Sequence, residues 1–116
     1  MTLKECYAEF DGDYVGVIER LQREAMVTRF VKMFSEENLC VELCGAVEAG
    51  DVERAFCIAH TLKGNCLNLG FTCLLKAAEA MTEALRGGHL EEARQILGAL
   101  TKEYQRTVDA IRKLAP

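Results

Sequence analysis

Apolar residues recur at steps of three and four along most of this chain, the period of a helix with one buried side. Near residues 2–10, Leu3, Cys6, Tyr7 and Phe10 fall on one side and predict a short helix. Asp13 follows, placed so that its carboxylate can accept the free N–H groups of a helix's first turn, and Val15, Ile18 and Leu21 give that second short helix its apolar side. A long helix is predicted from Arg23 or Glu24 to Ala49, with Met26, Val27, Phe30, Phe34, Val41, Cys44 and Val47 inward. Gly50 stops it, and Asp51 caps a helix running to about Asn68, whose core stripe is Val52, Ala55, Ala59, Leu62 and Cys66. After Gly70 a helix covers Thr72 to Arg86, with Leu74, Ala77, Ala78, Met81 and Leu85 inward. Gly87-Gly88-His89 turns the chain into a last helix from Leu90 to Leu114, carrying Ala93, Ile96, Leu97, Leu100, Tyr104, Val108 and Ile111 on its apolar side. Gly12, Gly45, Gly50, Gly70 and Gly87-Gly88 serve as the punctuation, and nothing reads as a strand.

Four amphipathic helices joined by short turns predict an all-α fold, an antiparallel up-down four-helix bundle over residues 23–114. Residues 1–22 supply one or two short helices that cap one end, and residues 1–116 form a single domain. Half of the residues are hydrophobic, enough to build a core. The net charge of -4 is spread without a block of either sign, which opposes a nucleic-acid footprint. No window approaches the roughly 20 apolar residues of a membrane span. The first residues, Met1 to Cys6, carry no apolar run of the signal-peptide kind, so the expected setting is the cytoplasm. In that setting the six cysteines are read as reduced, with Cys66 a small core residue. Cys40 and Cys44 stand four apart on one helix but lack the Cys-x-x-Cys and paired-histidine spacing of a zinc site, so neither metal nor cofactor is expected. With no spare apolar stripe, the bundle is expected to be a monomer.

The run from Ala59 to Gly70 carries the chemistry. On a helix turning about 100° per residue, His60 points roughly 120° away from the centre of the core stripe. Gly64 lies about 40° from the histidine and Lys63 about 60°, each within one turn of it. A glycine inside a helix costs about 1 kcal/mol relative to alanine, so its presence suggests a close approach to the backbone. Neutral imidazole, with an unperturbed pKa of about 6.5, is a nucleophile near neutrality. It can take and release a phosphoryl group, Lys63 can offset charge on the phosphoryl oxygens, and Gly64 clears room for a partner. The chain has no P-loop and no kinase nucleotide signature, so it is not expected to act as an enzyme by itself.

At Ala59-His60-Thr61-Leu62-Lys63-Gly64 and Asn68-Leu69-Gly70 the chain resembles a histidine-containing phosphotransfer (HPt) domain. The likeness extends over Gly50–Phe56, Phe30–Phe34 and the Gly87–Ala93 turn. It implies that His60 accepts the phosphoryl group, that Lys63 stabilises its charge, and that Gly64 is the gap admitting a receiver domain. The implied docking rim is Phe56, Cys57, Leu67, Asn68 and, on the next helix, Thr82. Family members often carry at that last position a longer polar residue touching the histidine. Asn65 and Cys66 replace the family's usual Ser or Ala after the glycine. The implied partners are a response regulator receiver domain and a histidine kinase or hybrid kinase. Two other readings stand beside this one. One is a helical interaction module that has lost phosphotransfer. The other is a metal or redox protein using Cys40, Cys44, Cys57 and His60.

Overall fold

Short polar side chains start several of the helices. Thr2 accepts from the Glu5 N–H at 3.1 Å while Glu5 accepts from the Thr2 N–H at 2.8 Å, a reciprocal cap that opens the first helix. Asp13 accepts from the Gly16 N–H and Asp51 from the Arg54 N–H, each doing the capping its position predicts. In the computed structural model, which describes residues 1–114, seven helices follow in order. They are α1 (Leu3–Glu9), α2 (Tyr14–Leu21), α3 (Glu24–Glu36), α4 (Leu39–Glu48), α5 (Val52–Leu69), α6 (Thr72–Arg86) and α7 (Leu90–Arg112). No strand occurs among the described residues. Among the described residues no helix is long and apolar enough to cross a membrane.

The long helix expected from residue 23 to 49 is instead two, α3 and α4, broken at Glu37-Asn38. The reason lies in the phase of the apolar positions. Val27, Val31 and Phe34 form the buried stripe of α3, and an unbroken helix would carry it on through residues 38 and 41. Residue 38 is asparagine, and the second apolar set is Cys40, Leu43, Ala46 and Val47, out of step with the first. Extended backbone at Glu37 re-phases the chain, and its carbonyl accepts from the Tyr104 hydroxyl at 3.2 Å. Val41, expected inside, is therefore 73% exposed, and Met26 and Val15 also face solvent, with Val17 taking the buried place on α2. Gly45, expected as punctuation, lies within α4. The last helix ends at Arg112 rather than Leu114.

Helix α5 packs along α6, α6 along α7, and α4 against both α5 and α7. Across one end runs an aromatic cluster: Tyr7 of α1, Phe10 just after it, Phe34 of α3, Phe71 at the start of α6 and Tyr104 of α7. The Tyr7 hydroxyl donates to the Leu69 carbonyl at 2.6 Å. Beside it, the Asp13 N–H donates to the Gly70 carbonyl at 2.8 Å. Gly70 ends α5 at φ +72°, where an added Cβ would stand 2.8 Å from the Asp13 carbonyl oxygen. Only glycine combines that backbone with that approach. The N-terminal helices thus pin the C-terminal end of α5 and fix the axis on which the site is built.

Candidate functional site

Helix α5 buries Ala55, Ile58, Ala59, Leu62, Cys66 and Leu69 and turns its other face to solvent. On that open face His60 is exposed, and its ring makes no hydrogen bond with any described residue. Its one ring contact is with Phe56, a turn earlier, at a centroid distance of 6.0 Å. The Thr61 hydroxyl donates back to the Cys57 carbonyl at 3.0 Å, so it does not compete for the imidazole. Lys63, one turn on, is half-buried and forms no ion pair among the described residues. An accessible imidazole and an uncommitted ammonium therefore share one turn of helix.

Gly64 carries a clearer signal in three dimensions than in sequence. A Cβ built on it meets nothing within 4 Å. The fold therefore places no steric demand for glycine there, in contrast to Gly70 and to Gly12, whose added Cβ would stand 2.6 Å from the Phe10 ring. Alanine would fit and would favour the helix. Gly45 and Gly98 are open in the same way, but neither is on α5. Gly64 alone of the three stands one turn from the histidine, where the empty space borders the reactive ring.

The expected docking residues divide into two groups. Phe56 and Cys57 line one cleft with His60 and Thr61. Leu67 and Asn68 lie two turns farther along α5. Leu67 is 53% exposed beside Asp13 and Arg20, and Asn68 borders an apolar groove formed with Leu21, Phe30 and Met33. Thr82, expected on the rim, is fully buried, and its hydroxyl donates to the Ala78 carbonyl at 2.7 Å. It has no surface for a partner and no donor left for the histidine, because a side chain this short stays beneath the α5–α6 interface.

Arg86 completes the cleft with Phe56, Cys57, His60 and Thr61, a residue that the sequence reading passed over. Its guanidinium lies 5.1 Å from the centroid of the Phe56 ring and pairs with Glu83 at 3.4 Å. The signal for it was available. Helices α5 and α6 fold back at Gly70, so residues equally far from that turn meet, and Phe56 falls opposite the Leu85–Arg86 end. Side chains on a helix lean toward its N-terminus, which sends Arg86 back along α6 toward the histidine.

Two of the six cysteines share a neighbour. The Cys40 and Cys44 thiols approach the Thr101 hydroxyl at 4.0 and 3.9 Å, while Cys57 is exposed on α5. No three His, Cys, Asp or Glu side chains gather in a metal-holding group among the described residues. Burial pushes the Cys66 thiol up to about 12 and the Cys6 thiol up to about 11, so neither supplies a thiolate near neutrality. Cys40 and Cys44 thus meet at one hydroxyl, while Cys57 and His60 line a different cleft.

The Hpt domain family model matches residues 18–110. That span begins inside α2 and takes in α3 to α6 and most of α7, with the His60 cleft inside it. No curated protein and no solved structure matches the chain.

Proposed function

The chain belongs to the Hpt domain family, and from that premise we propose that it is a phosphorelay intermediate with His60 as its phospho-accepting residue. Hpt domains are phosphocarriers of two-component signalling, working with receiver domains and histidine kinases rather than as self-contained enzymes. In this reading a lone pair of the His60 imidazole attacks the phosphorus of a receiver's aspartyl phosphate. The N–P bond forms as the P–O bond breaks, and the aspartate leaves as a carboxylate. The same steps in reverse deliver the group to another receiver, and a histidine kinase is an alternative source. Lys63 offsets charge on the phosphoryl oxygens, and Gly64 leaves the space into which the receiver's acidic site descends. Phe56, Cys57, Leu67 and Asn68 supply the docking rim.

The observation that carries the proposal is the pairing of an exposed, unbonded imidazole with a helical glycine that the fold itself does not require. The architecture we propose around it is a single domain. Its α3–α4 unit, α5, α6 and α7 form the four members of an up-down bundle, and α1 and α2 cover one end. A cytoplasmic monomer is the form in which such a carrier would meet its partners.

The test mixes the protein with a phosphorylated receiver domain and follows the label. Transfer should give an acid-labile, base-stable phosphoryl group on the wild-type chain and none on His60→Gln. Equal label on the two proteins, or no label on the wild type, overturns the assignment.

A further inference from the structure

Arg86 is held by weak, exposed contacts beside the group that would receive charge. Its guanidinium stacks on Phe56, its Nε approaches Glu83, and the same phenyl ring packs against His60 on its other contact. The side chains of Arg86 and Glu83 are both more than half exposed, so solvent screens their attraction. A phosphoryl group on His60 brings up to two negative charges and three strong acceptor oxygens into this cleft. Glu83 offers one charge and the Phe56 ring none. A guanidinium prefers a phosphoryl group for its charge and for the match of its planar fork to two oxygens.

Resting on the assignment of His60 as acceptor, we propose that Arg86 is a phosphoryl-responsive latch. In the unmodified protein it lies over Phe56. When His60 is phosphorylated it swings to the phosphoryl oxygens and bares the phenyl ring. Phosphorylated and unmodified forms then offer a receiver domain two different faces. One presents a covered ring and a loosely held cation, the other an open aromatic surface and a neutralised phosphoryl group. Thr82 cannot take this part, because it is buried with its hydroxyl committed to Ala78. Arg86 is one turn farther along the same helix and has the reach.

The test uses the full chain and phosphoramidate as a small phosphoryl donor. The imidazole lone pair forms an N–P bond as the donor's own P–N bond breaks and ammonia leaves. Nuclear magnetic resonance follows three signals: the 31P resonance of phosphohistidine, the Arg86 Nε–H and the Phe56 ring protons. The expected result is that the Arg86 Nε–H moves by several tenths of a ppm on phosphorylation and the Phe56 ring protons shift with it. In Arg86→Gln the 31P resonance should be displaced from its wild-type position, and the Phe56 response should fall well below the wild-type one, to the part that the neighbouring phosphohistidine gives by itself, because no guanidinium remains to depart. An unmoved Arg86 Nε–H, or a Phe56 response as large in Arg86→Gln as in the wild type, overturns the latch while the phosphohistidine signal keeps His60 as acceptor. Absence of a phosphohistidine signal that depends on His60 overturns both.

Discussion

The residue that separates the demands of the fold from those of a partner is Gly64. Replacing it with alanine adds a methyl group to open space and removes a flexible backbone from a helix interior, so stability to urea should rise by about 0.5–1 kcal/mol. Phosphotransfer from a receiver should nevertheless slow by about tenfold or more, because a small displacement of reacting groups is costly. Gly45→Ala and Gly98→Ala, which also point into open space, are the controls. They should stabilise to a similar degree and leave transfer unchanged. Equal transfer by Gly64→Ala and wild type would remove the reason for a glycine there. His60 was legible in the sequence because helical geometry alone turns it away from the core. Arg86 is legible only once α5 and α6 are folded back on each other at Gly70, because its importance comes from a neighbour thirty residues earlier in the chain.

At the scale of the elements, turns and caps govern what can be changed. Gly70 and Gly50 both have positive φ, yet their surroundings differ. A Cβ at Gly70 meets the Asp13 carbonyl at 2.8 Å, whereas one at Gly50 meets only a Leu90 methyl at 3.6 Å. Gly50→Ala should therefore cost about 1 kcal/mol, the left-handed backbone penalty alone. Gly70→Ala should cost visibly more, about 2–3 kcal/mol, because it also prises α2 from the end of α5. Urea denaturation of the two variants measures the difference, and equal losses would show that the Asp13–Gly70 junction has slack. Such junctions were readable in advance: Asp13, Asp51 and Gly70 cap and stop helices as their residue types dictate. The break between α3 and α4 was missed because Val41 sits seven residues after Phe34, a spacing that mimics one continuous stripe. Leu43 and Ala46, out of phase with that stripe, held the contrary information.

For the whole molecule, the buried thiols and phenols set an alkaline limit. Burial holds the Cys66 thiol at about 12 and the Cys6 thiol at about 11, against an ordinary value of 9.0. Tyr104 is raised to about 12 and Tyr7 is also raised, chiefly by burial, from an ordinary 10.0. Above pH 9 the unfolded chain releases protons that the folded chain retains, so the unfolded state binds fewer protons and stability falls as pH rises. The contribution is fully present below that point and is lost progressively toward pH 12. Each fully buried group accounts for about 1.4 kcal/mol per pH unit within its own window. Urea denaturation between pH 8 and 11 should show a plateau and then a decline. Cys66→Ala, although less stable throughout, should decline less steeply above pH 9. A flat profile would mean that these groups ionise as readily inside as out.

The N-terminal helices have one more consequence, and it concerns time rather than energy. Glu9 of α1 meets Lys113 just after α7, 104 positions away, and the Phe10 carbonyl accepts from Arg106, 96 away. Tyr7 reaches Leu69, 62 away. Of these seven helices α1 is made first, and its docking site is finished last. Until the final helix has been synthesised, α1 has no complete surface to join. Closing so long a loop carries an entropic cost that local helix formation does not. The capping box of Thr2 and Glu5 is complete within four residues, so this small helix carries its own start signal through the wait.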